Sequence, residues 1–423
     1  MSLNLPAWNP RHLKPLVLVG LTLVAYAAAI NREQALPWAI AALLLATLVT
    51  GFAWPHWLIK RLSVTRTGPE RAEEGETIHF NVTVRNQGWL PRFMVEAVDH
   101  LPFVGAARGD DAAEKVLGVV AYIGGNSTRS FDVPLLCEKR GFYRLGPVGL
   151  ASAFPLGLIE ARQQKNGGVQ TLTIYPDVFA IVALPLSGTP SEIHRGGFLL
   201  PEGAGAAEFS GLREYRRGDN PRHVHWPTTA RLNELMVKEF EPLASASLYL
   251  VPDMSADANV GKGKHSSFEY AVRIAASIGR YACGNGMQVR MSGEGGRSLA
   301  VGIGSGEAHF RSMLDALAVV DADGAIPYAK VLQDVAMHCR YGQTVVVFLS
   351  EPEARVSATV QAIALLRARG ANVLAIEFER GSFLDEKAPP SGAGASPWAG
   401  LLDLGIVSLT IRKGDDLLSV FNP

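Results

Sequence analysis

EFSGLREYRRGDNPRHVHWPTTARLNELMVKEFE, residues Glu208 to Glu241, holds the densest mixture of ionisable and aromatic side chains in the chain. Arg213, Arg216, Arg217, Arg222 and Arg231 alternate with Glu214, Asp219 and Glu239, and His223 and His225 flank Val224 just before Trp226. Gly218-Asp219-Asn220-Pro221 reads as a turn, because Gly permits positive φ, Asp and Asn bond their own backbone, and Pro pre-sets φ. Arginines and carboxylates at this density suit a fixed network of bidentate ion pairs. Beside Trp226 they read as a buried junction rather than a solvated loop.

The same stretch carries a resemblance. GLREYRRGDNPRHVHW…AR…LMVKEFE closely resembles the signature of the DUF58 family, a prokaryotic group of uncharacterised function. Pro227 departs from it, standing where the family commonly has Lys, which removes a charge and a backbone donor after Trp226. The resemblance implies a short membrane-anchored front, a β-rich region, the signature, and a von Willebrand factor A-like (vWA-like) domain. It also implies a partner, since proteins of this type are often associated with MoxR-type AAA+ ATPases.

Composition sets wide bounds. The 423 residues suffice for two or three domains, and 48% hydrophobic with 19% charged content fits a chain with membrane segments. Lys+Arg and Asp+Glu are both 40, so net charge gives no reason to expect nucleic acid, and the acidic residues among the five arginines argue against it. Cys137, Cys283 and Cys339 are far apart, with no CxxC spacing, and read as reduced core thiols.

Outward from the signature toward the N-terminus, residues 181–207 read as a linker broken by Gly and Pro. Residues 62–180 read as an all-β, sandwich-like domain. Ile78 to Val84 alternates apolar and polar, and Ser130–Leu135, Tyr143–Val148 and Gln170–Tyr175 are further strand candidates. Phe154-Pro155-Leu156-Gly157-Leu158 lies where the family often has a similar turn.

Residues 1–60 read as a transmembrane helical hairpin. Leu13–Ile30 and Ala35 to about Leu58 are each apolar enough, at ~1.5 Å per residue, to cross most of a ~30 Å hydrocarbon core. Trp8, Trp38, Trp54 and Trp57 stand near the ends as interfacial anchors would. Arg11 and Lys14 before the hairpin, and Lys60, Arg61 and Arg66 after it, put both ends in the cytoplasm and the chain in the inner membrane. Ala25-Tyr26-Ala27 fits a signal-peptidase site, but the second apolar run would still anchor the chain.

Toward the C-terminus, residues 208–244 form the signature segment and 245–423 an α/β domain. Apolar strands at Ser247–Val251, Thr344–Leu349, Val373–Phe378 and Val407–Ile411 alternate with helices near Phe268–Ala282, Ala308–Val320, Tyr328–His338 and Ala354–Arg369. Such alternation predicts a doubly wound, mostly parallel sheet covered on both faces, with any ligand beyond the carboxyl ends of its strands.

Asp253-Met254-Ser255-Ala256-Asp257, at the end of the first strand, resembles the vWA metal motif D-x-S-x-S. Asp253 and Ser255 match, and Asp257 stands in place of the second Ser. The resemblance implies a degenerate Mg²⁺ site at these residues, with Glu351 as the candidate for the later acidic position, where Asp is usual; the bare reading is that Asp253 and Ser255 cap the following turn. His223 and His225 would share one face of a strand, yet no third ligand accompanies them, so they read as structural. Arg217-Gly218-Asp219 is a coincidental tripeptide in a cytoplasmic chain. Arg213, Tyr215, Gly218, Asp219, Arg222, His225, Trp226 and Arg231 are read as structural or binding positions that tie the signature to the sheet edge.

The functional expectation is a cytoplasm-facing interaction or assembly factor, with the enzyme question left open. The alternative is a hydrolase with Asp219, His223 or His225 as acid/base and the arginines as anion clamp. No nucleophile with an adjacent base accompanies them, and no P-loop, G-x-S-x-G or H-E-x-x-H motif occurs.

Overall fold

The computed structural model describes residues 13–32, 35–105, 114–164, 167–184, 208–215, 224–232, 234–241, 247–384, 398 and 400–422. The chain divides into two units, Met1–Tyr175 and Pro176–Pro423.

The first unit begins with helices α1 (Leu13–Arg32) and α2 (Ala35–Leu58). Both are long and apolar enough to cross a membrane, and only 11% of each span is buried within the protein. Ten strands follow among the described residues: β1 (Leu62–Thr67), β2 (Arg71–Glu73), β3 (Thr77–Asn86), β4 (Arg92–His100), β5 (Glu114–Ile123), β6 (Thr128–Leu136), β7 (Gly141–Leu145), β8 (Gly149–Ser152), β9 (Ala161–Gln164) and β10 (Gln170–Tyr175). They form sheets of order β1-β3-β6, β2-β10-β7 and β5-β4-β8-β9. The expected sandwich is thus three small sheets around one apolar core, to which Phe80, Val95 and Leu172 contribute from different sheets. The alternation seen at Ile78–Val84 is the reason: Ile78, Phe80, Val82 and Val84 all point into that core. Arg66 and Asp99 are a buried ion pair joining β1 to β4.

The second unit opens earlier than its sequence boundary. Val178, Phe179, Ile181 and Leu184 pack with its core, and the Phe179 N–H donates to Ser277 Oγ at 3.1 Å. The rest of the expected linker, 185–207, lies outside the described residues. A two-stranded ribbon comes first: β11 (Glu208–Glu214) pairs antiparallel with β12 (Met236–Glu241), and helix α3 (Trp226–Leu232) lies between them in the chain.

Next come β13 (Ser247–Val251), α4 (Ser267–Gly284), β14 (Gln288–Gly293), β15 (Leu299–Gly304), α5 (Gly306–Val319), α6 (Tyr328–His338), β16 (Thr344–Leu349), α7 (Glu353–Ala368), β17 (Asn372–Phe378), α8 (Arg380–Phe383), α9 (Gly400–Asp403), β18 (Val407–Ile411) and α10 (Leu417–Phe421). The sheet order is β15-β14-β13-β16-β17-β18. β15 runs antiparallel to β14, so the sheet is mixed, with the other pairings parallel.

Alternate residues of β13 serve two cores. Leu248 and Leu250 join the one that includes α4 and α5, while Tyr249 and Val251 join the one that includes α6 and α7. A strand buried on both faces needs a continuous apolar run, which Leu248–Val251 supplies. Ser266 caps the start of α4, its side chain accepting from the Glu269 N–H.

Tyr328 fixes the sheet end that matters here. Its hydroxyl, fully buried at the start of α6, donates to the Val251 carbonyl and accepts from the Phe348 N–H at 3.1 Å. Both ends of this tie are backbone groups of the central strands. Tyr328→Phe is expected to destabilise the protein by about 1–3 kcal/mol by orphaning them. Chemical denaturation of the full chain in detergent, followed by circular dichroism, measures this.

Candidate functional site

β13 and β16 are neighbours and parallel, and each is followed two residues later by an acid, Asp253 and Glu351. Both acids are buried, at 2% and 4% exposure, and Ser255 is at 1%. The Asp253 Oδ1 accepts from the Ser255 N–H at 3.0 Å and from the Ser255 hydroxyl. Glu351 Oε2 accepts from Thr359 Oγ1 of α7. The other oxygen of each carboxyl group, Asp253 Oδ2 and Glu351 Oε1, is buried with no hydrogen-bond partner.

The loop after β13 is held from three directions. Asn259 Nδ2 donates to the carbonyls of Asp253 (2.9 Å) and Ser255 (3.0 Å), and its Oδ1 accepts from Ser267 and Ser350. Arg380, just after β17, donates to the carbonyls of Ala258 and Ser350, bridging the ends of β13 and β16. Gly324 pairs with Ser255 as an isolated parallel bridge: the Ala256 N–H donates to Gly324 O, and the Gly324 N–H to Met254 O, each at 2.9 Å. A Cβ at Gly324 would meet Glu294 O at 2.4 Å, so only glycine lets the 321–324 segment come this close.

Burial dominates the electrostatics. Desolvation pushes the Asp253 carboxyl up to about 7, against the two Ser255 hydrogen bonds, and the nearby Glu351 and Asp257 charges push the same way. Glu351 is also raised, first by burial, with the Thr359 bond opposing. Two buried acids within electrostatic reach resist simultaneous ionisation.

The sequence expectation placed Asp257 beside Asp253 and Ser255. Its carboxylate is instead gripped by the Arg355 guanidinium, one contact being 3.0 Å, on an exposed part of the loop. Glu351 supplies the second buried carboxylate. Asn259, Thr359, Tyr328 and Arg380 went unnoticed in the sequence. Lone polar residues carry no signal there, although Arg380 directly after a strand end is a position a parallel-sheet reading can single out.

The signature positions are placed differently from expectation. Gly218, Asp219, Arg222 and His223 lie outside the described residues, as does the side chain of Arg213. Trp226 is 66% exposed, so it does not form the expected buried junction. Tyr215 and Arg231 are also exposed. Among the described residues, β11 and β12 pair with each other and with no strand of the six-stranded sheet, which is not the expected attachment to a sheet edge.

His225 is not on a strand. Its Nδ1 is hydrogen-bonded to Thr228 Oγ1 at 2.8 Å, and its carbonyl accepts from the Thr228 and Thr229 N–H groups, starting α3. Pro227 falls in the first turn of α3, where a missing N–H costs little. Val224, bridged to Val237, and Thr229 Oγ1, accepting from the Met236 N–H at 3.0 Å, fasten the segment to β12.

Together these features define a protein with two membrane-length N-terminal helices, a sheet-rich unit, and an α/β unit carrying two buried acids at its central strand ends. Residues 211–381, from within β11 to α8 and including the strand-end acids, match the family model described as "Protein of unknown function DUF58". It is 28% identical over 265 residues to "Uncharacterized protein YeaD" of Bacillus subtilis (strain 168), an alignment covering 62% of each chain. The chain thus spans about three fifths of the length of that curated relative.

Likenesses to solved structures are slight. A CARDB domain from Pyrococcus furiosus in complex with di-metal ions matches 27% of this chain and 86% of its own, at 14% identity and TM-score 0.20. A GH20 exo β-N-acetylglucosaminidase from Vibrio harveyi matches 76% of this chain and 57% of its own, at 8% identity and TM-score 0.19. Scores this low carry no inference about fold or function.

The raised carboxyls give a signed expectation. Between the ordinary aspartate value of 3.8 and about 7, folded Asp253 holds a proton that the unfolded chain has lost. Stability in metal-free buffer therefore falls as pH rises through that window and flattens above it, with Glu351 acting in the same direction. Denaturation midpoints at pH 5 and pH 8 should show this fall in the parent and a smaller one in Asp253→Asn.

Proposed function

We propose that this chain is an inner-membrane interaction factor, anchored by its helical hairpin and facing the cytoplasm. Its vWA-like α/β unit engages a partner protein through the strand-end acids. The observation that carries the reading is the pair of buried, unpartnered oxygens, Asp253 Oδ2 and Glu351 Oε1. Burying a polar atom without a partner costs about 1–3 kcal/mol, so a site that keeps two of them is organised for something it binds.

The donor chemistry fits a hard divalent cation. Asp253 and Glu351 would hold it with the Ser255 hydroxyl, while Asp257, committed to Arg355, would stay outside. No group of three or more His, Cys, Asp or Glu side chains able to hold a metal occurs among the described residues. A cation here would thus rely on hydroxyl and water oxygens, as Mg²⁺ tolerates. When bound, it would supply positive charge for a partner's carboxylate. Ser255 and Thr359 orient the two acids, and Asn259 and Arg380 keep the loop rigid.

The resemblance nominates a MoxR-type AAA+ ATPase as the partner to test first. Of the hydrolase alternative's acid/base candidates, Asp219 and His223 lie outside the described residues, and His225 is engaged with Thr228 at the start of α3.

Mg²⁺ at about a hundred times its Kd is expected to stabilise the detergent-solubilised full chain by about 2–3 kcal/mol at pH 7.5. Asp253→Asn and Ser255→Ala should abolish the effect and Asp257→Ala retain it. A parallel pull-down should recover the ATPase with the parent and lose it with Asp253→Asn. Loss of stabilisation in Asp257→Ala alone, or equal recovery of the ATPase with both forms, would overturn the reading.

A further inference from the structure

The membrane-side end of the β unit presents apolar groups that its own core does not use. β1 starts four residues after α2 ends, and Leu62 pairs with Asn86, so this end of β3 lies beside the hairpin. Pairing and contacts place the start of β4, the end of β5 and the β8–β9 turn there too. Arg92 stacks on Trp57 of α2 at 3.9 Å and pairs with Ile123, while Ser152 Oγ donates to Met94 O at 2.9 Å.

Two protrusions stand at this end. The first is the 87–91 loop with Trp89, 75% exposed. Its indole is on a fixed mount. Asn86, fully buried, donates to Leu90 O (2.8 Å) and Gly124 O (2.9 Å), and the Asn126 N–H donates to Gly88 O at 2.8 Å. The Gln87 N–H donates to Arg61 O at 2.9 Å, tying this loop to the residues that follow α2. The second is the turn Phe154-Pro155-Leu156-Gly157-Leu158. Phe154 and Leu156 are exposed, and Phe93 stacks between Phe154 (6.2 Å) and the exposed Tyr122 (5.5 Å).

α2 gives the level of that turn. A Cβ at Gly51 would lie 2.5 Å from Leu158 Cδ1 and 3.5 Å from Leu156 Cδ1, so the turn lies flat on the helix. Gly51 is seven residues before Leu58, about 10 Å along the axis, and one turn nearer the helix centre than Trp54. A helix that puts Trp54 and Trp57 at the headgroup level puts the turn about 5 Å deeper, a depth typical of interfacial apolar groups. Exposed Lys60 and Arg61 follow the end of α2, beyond Trp57, where cationic side chains meet lipid phosphates.

We infer that the β unit is partly embedded: Trp89 and the Phe154–Leu158 turn, with Tyr122, insert into the bilayer interface next to α2. This rests on the membrane reading of the hairpin, and the occupant of the surface is lipid. The unit then stands on the membrane through three contacts besides its covalent anchor.

Depth-dependent quenching tests it in the full chain. In a background with Cys137, Cys283 and Cys339 replaced by Ala, single Leu156→Cys, Trp89→Cys, Leu43→Cys and Thr77→Cys variants carry an environment-sensitive fluorophore. They are reconstituted into phosphatidylcholine vesicles with or without bromine at shallow acyl positions. Labels at Leu156 and Trp89 are expected to lose fluorescence in brominated lipid. The label at Thr77, at the opposite end of β3, should lose none. Quenching at Leu43 within α2 with none at Leu156 and Trp89 would overturn the insertion and spare the hairpin; absence of quenching at Leu43 would remove both.

Discussion

Two carboxyl groups held out of water at the ends of adjacent strands set the terms for the rest of the α/β unit. An isolated buried acid can be neutralised by a proton, as the raised values of Asp253 and Glu351 imply. Both positions then need a scaffold that does not relax around the unpartnered oxygens. Tyr328 locks the strands beneath them, Asn259 pins the loop that carries Asp253, and Arg380 spans the ends of β13 and β16. The exposed Arg355–Asp257 pair closes the rim; in water it contributes little to stability and chiefly fixes direction.

Much of the architecture was legible in the sequence, for identifiable reasons. Thr344–Leu349 and Val407–Ile411 were read with the bounds they have, because a short apolar run between turn residues admits few alternatives in an α/β alternation. The helix expected over roughly Tyr328 to His338 is a helix over that range. The two N-terminal helices were equally plain, since each apolar run is long enough, as a helix, to cross a membrane. The three-sheet arrangement of the β unit was not legible. Strand candidates declare a face but not their neighbours, and β2, with three residues, has no pattern of its own.

The candidate site was half legible. Asp253 and Ser255 stood out because they end the first strand of a parallel sheet, where such folds place ligands. Asp257 read equally well, yet its fate depends on Arg355, 98 residues away, and no local pattern carries that pairing. Trp226 misled for the opposite reason. An aromatic among arginines reads as a junction, but among the described residues the ribbon pairs only with itself, and the ring is in the open.

The contact between Gly51 and the Leu156–Leu158 turn has a mechanical consequence. Arg92 grips the same helix near its end, at Trp57, so α2 is clasped at two heights. A body clasped at two points along one rod has no swivel left. Whatever fixes the tilt and azimuth of the hairpin also aims the β unit, and a side load on that unit reaches the helices as torque.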